Sequence, residues 1–256
     1  MGIDSRAEAR ARIRPFVDRA RSFSGWNFGD MASERVGPPL PWNYEQRASE
    51  LLTGAASVLD MGTGGGEVFG ELVQVYRGRA VASEEWEVNA PIAAKRLSPL
   101  GVATVRSRSA NLPFRSGVFE LVLNRHEELD PLEVARVLAP RGRILIQQVG
   151  RNNWRELRRF FPRMSDFGPL FEKYIAGFQA AGLSIVQAER FDTQEAFRDV
   201  GQIAYMLCVA PWEIPDFSPL EHDLDALIEV DRTLRTGKGI VLTQSRFLIE
   251  AERTVG

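Results

Sequence analysis

The run Val58-Leu59-Asp60-Met61-Gly62-Thr63-Gly64-Gly65-Gly66-Glu67 joins an apolar stretch, a glycine turn and two carboxylates. Glycines tolerate positive φ and let a ligand approach the backbone closely. If a helix starts at the turn, its free N–H groups and positive dipole end add a site for a polar ligand. A dinucleotide loop of the form G-x-G-x-x-G is the obvious competitor. Counted from Gly62, however, its third glycine falls on Glu67, where a carboxylate would repel a pyrophosphate. Glu67 and Asp60 suit a cationic ligand instead. Glu84 lies 24 residues after Asp60, at the end of the next apolar stretch. A carboxylate there can accept hydrogen bonds from both hydroxyls of a ribose. The predicted ligand is therefore a nucleoside carrying positive charge.

S-adenosylmethionine (SAM) fits that description, with an ammonium, a sulfonium and no phosphate. Methyl transfer from it is an in-line displacement, helped by holding the reactants in line and away from water. A base is needed only where the acceptor must lose a proton. His126 is the better placed of the two histidines for that role, within Asn124-Arg125-His126-Glu127 at a strand end. Asn124 is placed to contact the methionine end of SAM, and Gln147 and Gln148 to position an acceptor. Hydrogen bonds that only orient neighbours are the structural alternative for all of these.

Alternating strands and helices must carry these residues. Short apolar runs at 55–61, 79–83, 102–107, 118–123 and 143–149 read as strands, the last entered through the turn Ala139-Pro140-Arg141-Gly142. Helical stretches at 68–76, 85–97 and 131–138 separate them. This alternation predicts an α/β fold with a parallel, doubly wound sheet covered on both faces. Beyond residue 150 the expected order is helix 170–181, strand 183–189, helices near 200–209 and 220–234, and strand 240–252. The two late strands read as an antiparallel pair. Two parts are expected: residues 1–45 as a helix and lid segment, and residues 46–256 as the ligand-binding domain. The helix over 4–22 contains Pro15, which could kink or split it. The Gly- and Pro-rich stretch from Ser22 to Tyr44 is too aromatic for a free tail, with Trp26, Phe28 and Trp42. With Tyr44, Tyr205 and Trp212, these aromatics predict a lid over an apolar acceptor pocket.

Asp60-Met61-Gly62-Thr63-Gly64-Gly65-Gly66 resembles the first motif of class I SAM-dependent methyltransferases, D-x-G-x-G-x-G. Leu112-Pro113-Phe114 followed by Val118-Phe119-Glu120-Leu121-Val122 resembles the family's passage into its fourth strand. Glu133-Val134-Ala135-Arg136-Val137-Leu138-Ala139-Pro140-Arg141-Gly142 resembles the element before its fifth. The resemblance covers roughly residues 50–150 and implies a Rossmann-like, seven-stranded, mostly parallel sheet whose last strand is antiparallel. It implies cofactor contacts from Asp60, Gly62, Thr63, Gly64, Gly66, Glu84, Leu112 and Asn124. The family's usual acid before Leu112 is missing, which moves adenine recognition to Asn111 or to backbone groups. Arg141 stands where the family has the first glycine of a pair. Pro39-Leu40-Pro41-Trp42-Asn43-Tyr44, Asn124-Arg125-His126-Glu127 and Gln147-Gln148-Val149-Gly150 are similar to a bacterial subgroup of the family.

Composition narrows the partners. The chain has 256 residues and a formal charge of −2, so no global positive field attracts nucleic acid. The basic clusters over 6–21 and 151–163 read as solvated helix faces. A small-molecule acceptor is expected. An RNA methyltransferase, or a SAM-binding protein without methyl transfer, is the alternative. The single Cys208 excludes an internal disulfide and multi-cysteine zinc sites, and two histidines make a metal centre unexpected. A cytoplasmic location fits the lone cysteine, the charged N-terminus and the lack of a membrane-length apolar run. Composition leaves the oligomeric state open.

Overall fold

The computed structural model describes residues 5–254. Ser5 caps α1 (Arg6–Ala20), which runs unbroken through Pro15. The aromatic stretch follows, with a two-residue strand β1 (Glu34–Arg35), and Asn43 caps α2 (Tyr44–Thr53) through its side chain. The alternating core is β2 (Ser57–Met61), α3 (Glu67–Leu72), β3 (Arg79–Glu84), α4 (Asn89–Leu97), β4 (Ala103–Arg106), β5 (Phe119–Arg125), α5 (Pro131–Val137) and β6 (Leu138–Val149). The remainder is α6 (Leu170–Ala180), β7 (Leu183–Phe197), α7 (Val200–Val209), α8 (Leu224–Leu234), β8 (Arg235–Thr236) and β9 (Gly239–Arg253).

The sheet order is β1-β7-β9-β6-β5-β2-β3-β4, with β8 pairing β9 off that path. Strands β4, β3, β2, β5 and β6 are mutually parallel, and β9 runs antiparallel between β6 and β7. The seven longer strands thus form the doubly wound sheet with an antiparallel last strand. β1 and β8 add two-residue edges that no sequence pattern marks. Each residue of β2 is buried, as expected for a central parallel strand covered on both faces.

Two departures from the sequence reading have physical causes. Residues 139–142 do not form a separate turn; they are an irregularity at the start of β6, where pairing with β5 slips between Phe119 and Leu121. Strand β7 runs eight residues past Glu189, and from Arg190 to Glu195 its side chains alternate between exposed and more buried positions, as on a ribbon with one wet face. Pairing of β9 with β6 stops at Val149↔Arg246, whereas its pairing with β7 continues to Phe197↔Ile240. The β7–β9 ribbon therefore projects beyond the carboxyl edge of the parallel strands. α1, α7 and α8 cover it through a core that includes Ile13, Val17, Phe197, Ile203, Leu227 and Leu242. The result is a wall beside the edge where doubly wound sheets hold their ligands.

Candidate functional site

The glycine turn leaves β2 with Gly62, Gly64 and Gly66 at φ of 67°, 62° and 76°. Only glycine adopts such values in succession without strain. Thr63 N donates to Ser83 O at 3.0 Å, which ties the turn to the end of β3. Glu84 completes the tie: its carboxylate accepts from Gly64 N at 2.7 Å and from Trp86 N at 2.8 Å. Glu67 at the start of α3 faces Arg96 at 3.4 Å, and Arg96 Nε donates to Gly65 O at 2.8 Å. Glu67 thus helps to hold the loop against α4.

A further carboxylate, beyond Asp60, Glu67 and Glu84, reaches the loop. A Cβ placed on Gly62 would meet the Glu127 Cβ at 2.4 Å, so the Glu127 side chain lies against the glycine backbone. Ser109, buried in the loop after β4, donates to Glu127 Oε1 at 3.4 Å. Burial pushes the Asp60 carboxyl up to about 7, against the opposing pull of Thr63 and Arg125. Burial and the neighbouring Glu84 and Glu85 raise Glu127 to about 7 as well. Glu84 is also raised by burial, although backbone N–H groups at Trp86 and Gly64 oppose the shift. Three desolvated carboxyls thus surround one glycine loop, where a nearby positive charge would favour their ionised forms.

At the carboxyl end of β5, Asn124 is fully buried. Its Oδ1 accepts from Gln148 Nε2 at 2.6 Å, and the same Nε2 donates to Glu127 O at 2.6 Å. Asn124 Nδ2 has no partner among the described residues, leaving a buried donor beside β2 at the register Met61↔Asn124. His126 follows at φ 66°, a conformation a non-glycine residue rarely adopts, with its N–H on Gln147 O at 2.9 Å. The residue is exposed to solvent, and its ring Nε2 lies 3.4 Å from Nε2 of Gln147. Desolvation, with Arg246 and Arg125 nearby, holds its basicity well below that of an ordinary histidine. Gln147 in turn accepts from Trp42 Nε1 at 2.8 Å. A cleft of about 560 Å³ opens here, lined by Leu40, Trp42, Tyr44, Arg125 and Gln147 among others.

The predicted adenine-side residues separate. Leu112 is buried, with its N–H on Glu133 Oε1 at 2.7 Å and its carbonyl accepting from Arg136 at 3.0 Å. Glu133 and Arg136 thus clamp the backbone ahead of β5, which explains their spacing on α5 in structural terms. Asn111 is turned to solvent, and Ser109 is the side chain of that loop directed to the glycine turn.

The aromatic stretch covers the loop. A Cβ on Gly64 would lie 2.1 Å from Trp26 Cδ1, and Gly25 N donates to the buried Asn89 Oδ1 at 2.7 Å. Trp26 lies 6.2 Å from Trp212 and 5.7 Å from Phe28, centroid to centroid, and Phe23 bridges Trp26 and Phe28 to Tyr205. Trp42 and Tyr44 form a separate group over the ends of β5 and β6. The sequence marks Trp26 as a lid aromatic and Glu127 as part of a strand-end motif, but carries no local signal that either meets the glycine loop. Only the long-range fold brings them to the loop.

No family model and no curated protein matches the sequence. Among solved structures, the chain is similar to a candidate methyltransferase from Bacillus halodurans C-125 at 16% identity and a TM-score of 0.57, over 82% of this chain and 100% of that one. It is similar to geranyl diphosphate methyltransferase in complex with SAM at 17% identity and a TM-score of 0.51, over 82% and 85%. It is also similar to the [4+2]-cyclase SpnF at 15% identity and a TM-score of 0.57, over 100% and 98%. The fold is that of the Rossmann-like methyltransferases. At these identities the likeness concerns the fold, and the cyclase shows that the fold by itself does not dictate methyl transfer.

Proposed function

We propose that the protein is a SAM-dependent methyltransferase acting on a small-molecule acceptor. The observation that carries this reading is the convergence of Asp60, Glu84 and Glu127 on one glycine loop. These desolvated acids favour a ligand with positive charge and disfavour a pyrophosphate. The donor set fits SAM: the glycine backbone for its methionine end, Asn124 Nδ2 as an unmatched buried donor, and Glu84 for ribose hydroxyls. When bound, SAM supplies an electrophilic methyl on sulfur.

The chain's own residues then have three tasks. The carboxylates hold the positive charge, and Trp26 with Trp212 excludes water from the loop. Gln147 and Gln148 fix the polar edge at the ends of β5 and β6. His126, uncharged at neutral pH and open to the cleft, accepts a proton where the acceptor carries one. In this reading residues 1–45 serve as helix and lid to the domain over 46–256. The subgroup motifs at 39–44, 124–127 and 147–150 supply the lip and floor of the cleft. A cytoplasmic setting is consistent with the half-buried Cys208, whose thiol burial raises to about 11. Among the described residues no helix is long and apolar enough to cross a membrane.

Calorimetric titration with SAM, S-adenosylhomocysteine and NAD, on the native chain and on Glu84→Ala, tests the cofactor. Binding of both adenosyl compounds, absent for NAD and weakened in the variant, is expected; binding of NAD alone would overturn the assignment. Detection of labelled methyl in product then separates a transferase from a protein that uses the fold otherwise.

A further inference from the structure

Three buried carboxylates away from the glycine loop are each paired with arginine. Glu250 meets Arg47 and Arg143 at 2.8 and 3.0 Å, Asp223 meets Arg163 at 2.6 Å, and Asp231 meets Arg235. Arg246 is different. It is half-buried and makes no ion pair with a described residue. Its Nη1 donates to Asn153 Oδ1 and to Ser245 O, each at 2.7 Å. The Nε and Nη2 donors have no protein partner among the described residues. A guanidinium prefers planar, two-point contact with an oxyanion, and half of this fork is left open.

Its place in the sheet gives the open half a direction. Arg246 stands opposite Val149 at the last pair of β6 and β9, where the ribbon leaves the parallel sheet. Alternation along the strands puts it on the same face as Gln147, which pairs with Arg125 across β5. Arg125 and Gln147 on that face line the 560 Å³ cleft together with Arg35, and Arg246 lies one step along the same face at its margin. Arg246 and Arg125 both act on His126 electrostatically. Two acids also act on Arg246 beyond ion-pair range. Glu195 is already engaged by Trp154 at 2.6 Å and Gln244 at 3.1 Å, and Glu213 is a carboxyl that burial has made easier to protonate. Burial disfavours the charged guanidinium. An anion next to it would relieve that cost.

We propose that Arg246 recognises an anionic group of the methyl acceptor, a carboxylate or a phosphate monoester, and holds the acceptor beside His126. The proposal rests on the methyltransferase reading for the word acceptor, while the anion site itself does not. Apolar walls at Leu40 and Trp42 suit an organic body behind the anionic group.

The test uses benzoate, phenyl phosphate and neutral benzamide as probes, titrated into the full chain with and without S-adenosylhomocysteine. At least one of the two anions should bind saturably and benzamide should not; which anion binds separates a carboxylate from a phosphate acceptor. Arg246→Gln should weaken anion binding roughly thirtyfold or more while affinity for S-adenosylhomocysteine stays unchanged. Arg246→Lys, which keeps the charge but not the fork, should fall between. If Arg246→Gln does not fold, the lysine variant and the contrast between anion and benzamide on the native chain decide. Equal binding of benzamide, no binding of either anion, or undiminished binding by a folded Arg246→Gln would overturn the proposal. Loss of S-adenosylhomocysteine binding alone, with anion binding intact, would instead sink the methyltransferase reading.

Discussion

Glu127 packs its Cβ and Cγ against Gly62, close enough that a methyl group on that glycine would overlap both carbons at 2.4 Å. The contact joins the first turn after β2 to the segment after β5, so the glycine serves a close approach as well as a turn. It places a carboxyl over the backbone that a cationic ligand would share.

Gly62→Ala should therefore damage the site in two ways. The new Cβ collides with carbons near the Glu127 backbone, and φ of 67° strains any side chain. Denaturant unfolding should register a loss of roughly 1–3 kcal/mol, and SAM binding should vanish in calorimetry. Gly237→Ala is the control, since a Cβ there meets nothing within 4 Å. Its unfolding curve should move by no more than about 0.5 kcal/mol.

The raised carboxyls predict an unusual pH profile. Asp60 and Glu127 titrate at about 7 in the folded chain against ordinary values of 3.8 and 4.5. The folded chain keeps protons that the unfolded chain releases across this window. Their contribution to stability is complete below the unfolded values and is lost as pH rises through 7. Without cofactor, thermal stability should fall between pH 5 and about 7.5, the two groups together contributing on the order of a few kcal/mol. Asp60→Asn with Glu127→Gln should flatten that profile. SAM affinity should run the other way and strengthen as these groups ionise. A profile shared by native and double variant would refute the cause assigned here.

Much of the loop was readable because its signals are local. An apolar run, glycines and a helix start occur within ten residues, and Glu84 ends the next strand. Asn124, at the end of β5, followed from the same alternation. Ser109, Glu127 and Arg246 were not assigned roles, and Trp26 reads as part of a lid but not as a contact of the glycine loop, because their partners lie across the fold. Ser109 meets Glu127 18 residues away and Trp26 meets Gly64 38 residues away. Arg246 shares a face with Gln147 only through the β6–β9 register. Asn111 was the natural substitute for a missing acid by position, but the loop turns Ser109 inward in its place. The ribbon past Glu189 was missed because a strand with one wet face lacks the continuous apolar run of a buried one.

Arg141 tests how well the family resemblance describes backbone as well as side chains. It occupies a glycine position of that pattern, is exposed, and has φ of 62°. An L-residue in the left-handed region costs roughly 1–2 kcal/mol, whereas glycine costs roughly 0.5–1 kcal/mol through unfolded-chain entropy. Arg141→Gly should thus stabilise the protein by about 0.5–1 kcal/mol in urea unfolding, and cofactor binding should not change. A loss of stability would mean that the arginine side chain makes a compensating contact.

His126 offers the sharpest split between binding and chemistry. Its ring borders the cleft through Gln147 and its charged form is disfavoured, so it is unprotonated and able to take a proton at neutral pH. If the acceptor is a hydroxyl or another group that must lose a proton, His126→Asn should lower kcat by about 10²–10⁴-fold. SAM affinity should barely move, because the ring has no hydrogen bond to the glycine loop. The native rate should show little acid-side loss from this ring near neutral pH, since its pKa is held well below that of an ordinary histidine. For an acceptor that is already a free nucleophile, the same substitution should cost little, and turnover would then depend on alignment by Gln147 and Gln148. A fall in SAM affinity equal to the fall in kcat would instead assign His126 to shaping the cleft, because a base acts on the acceptor proton and leaves the cofactor's ground state untouched.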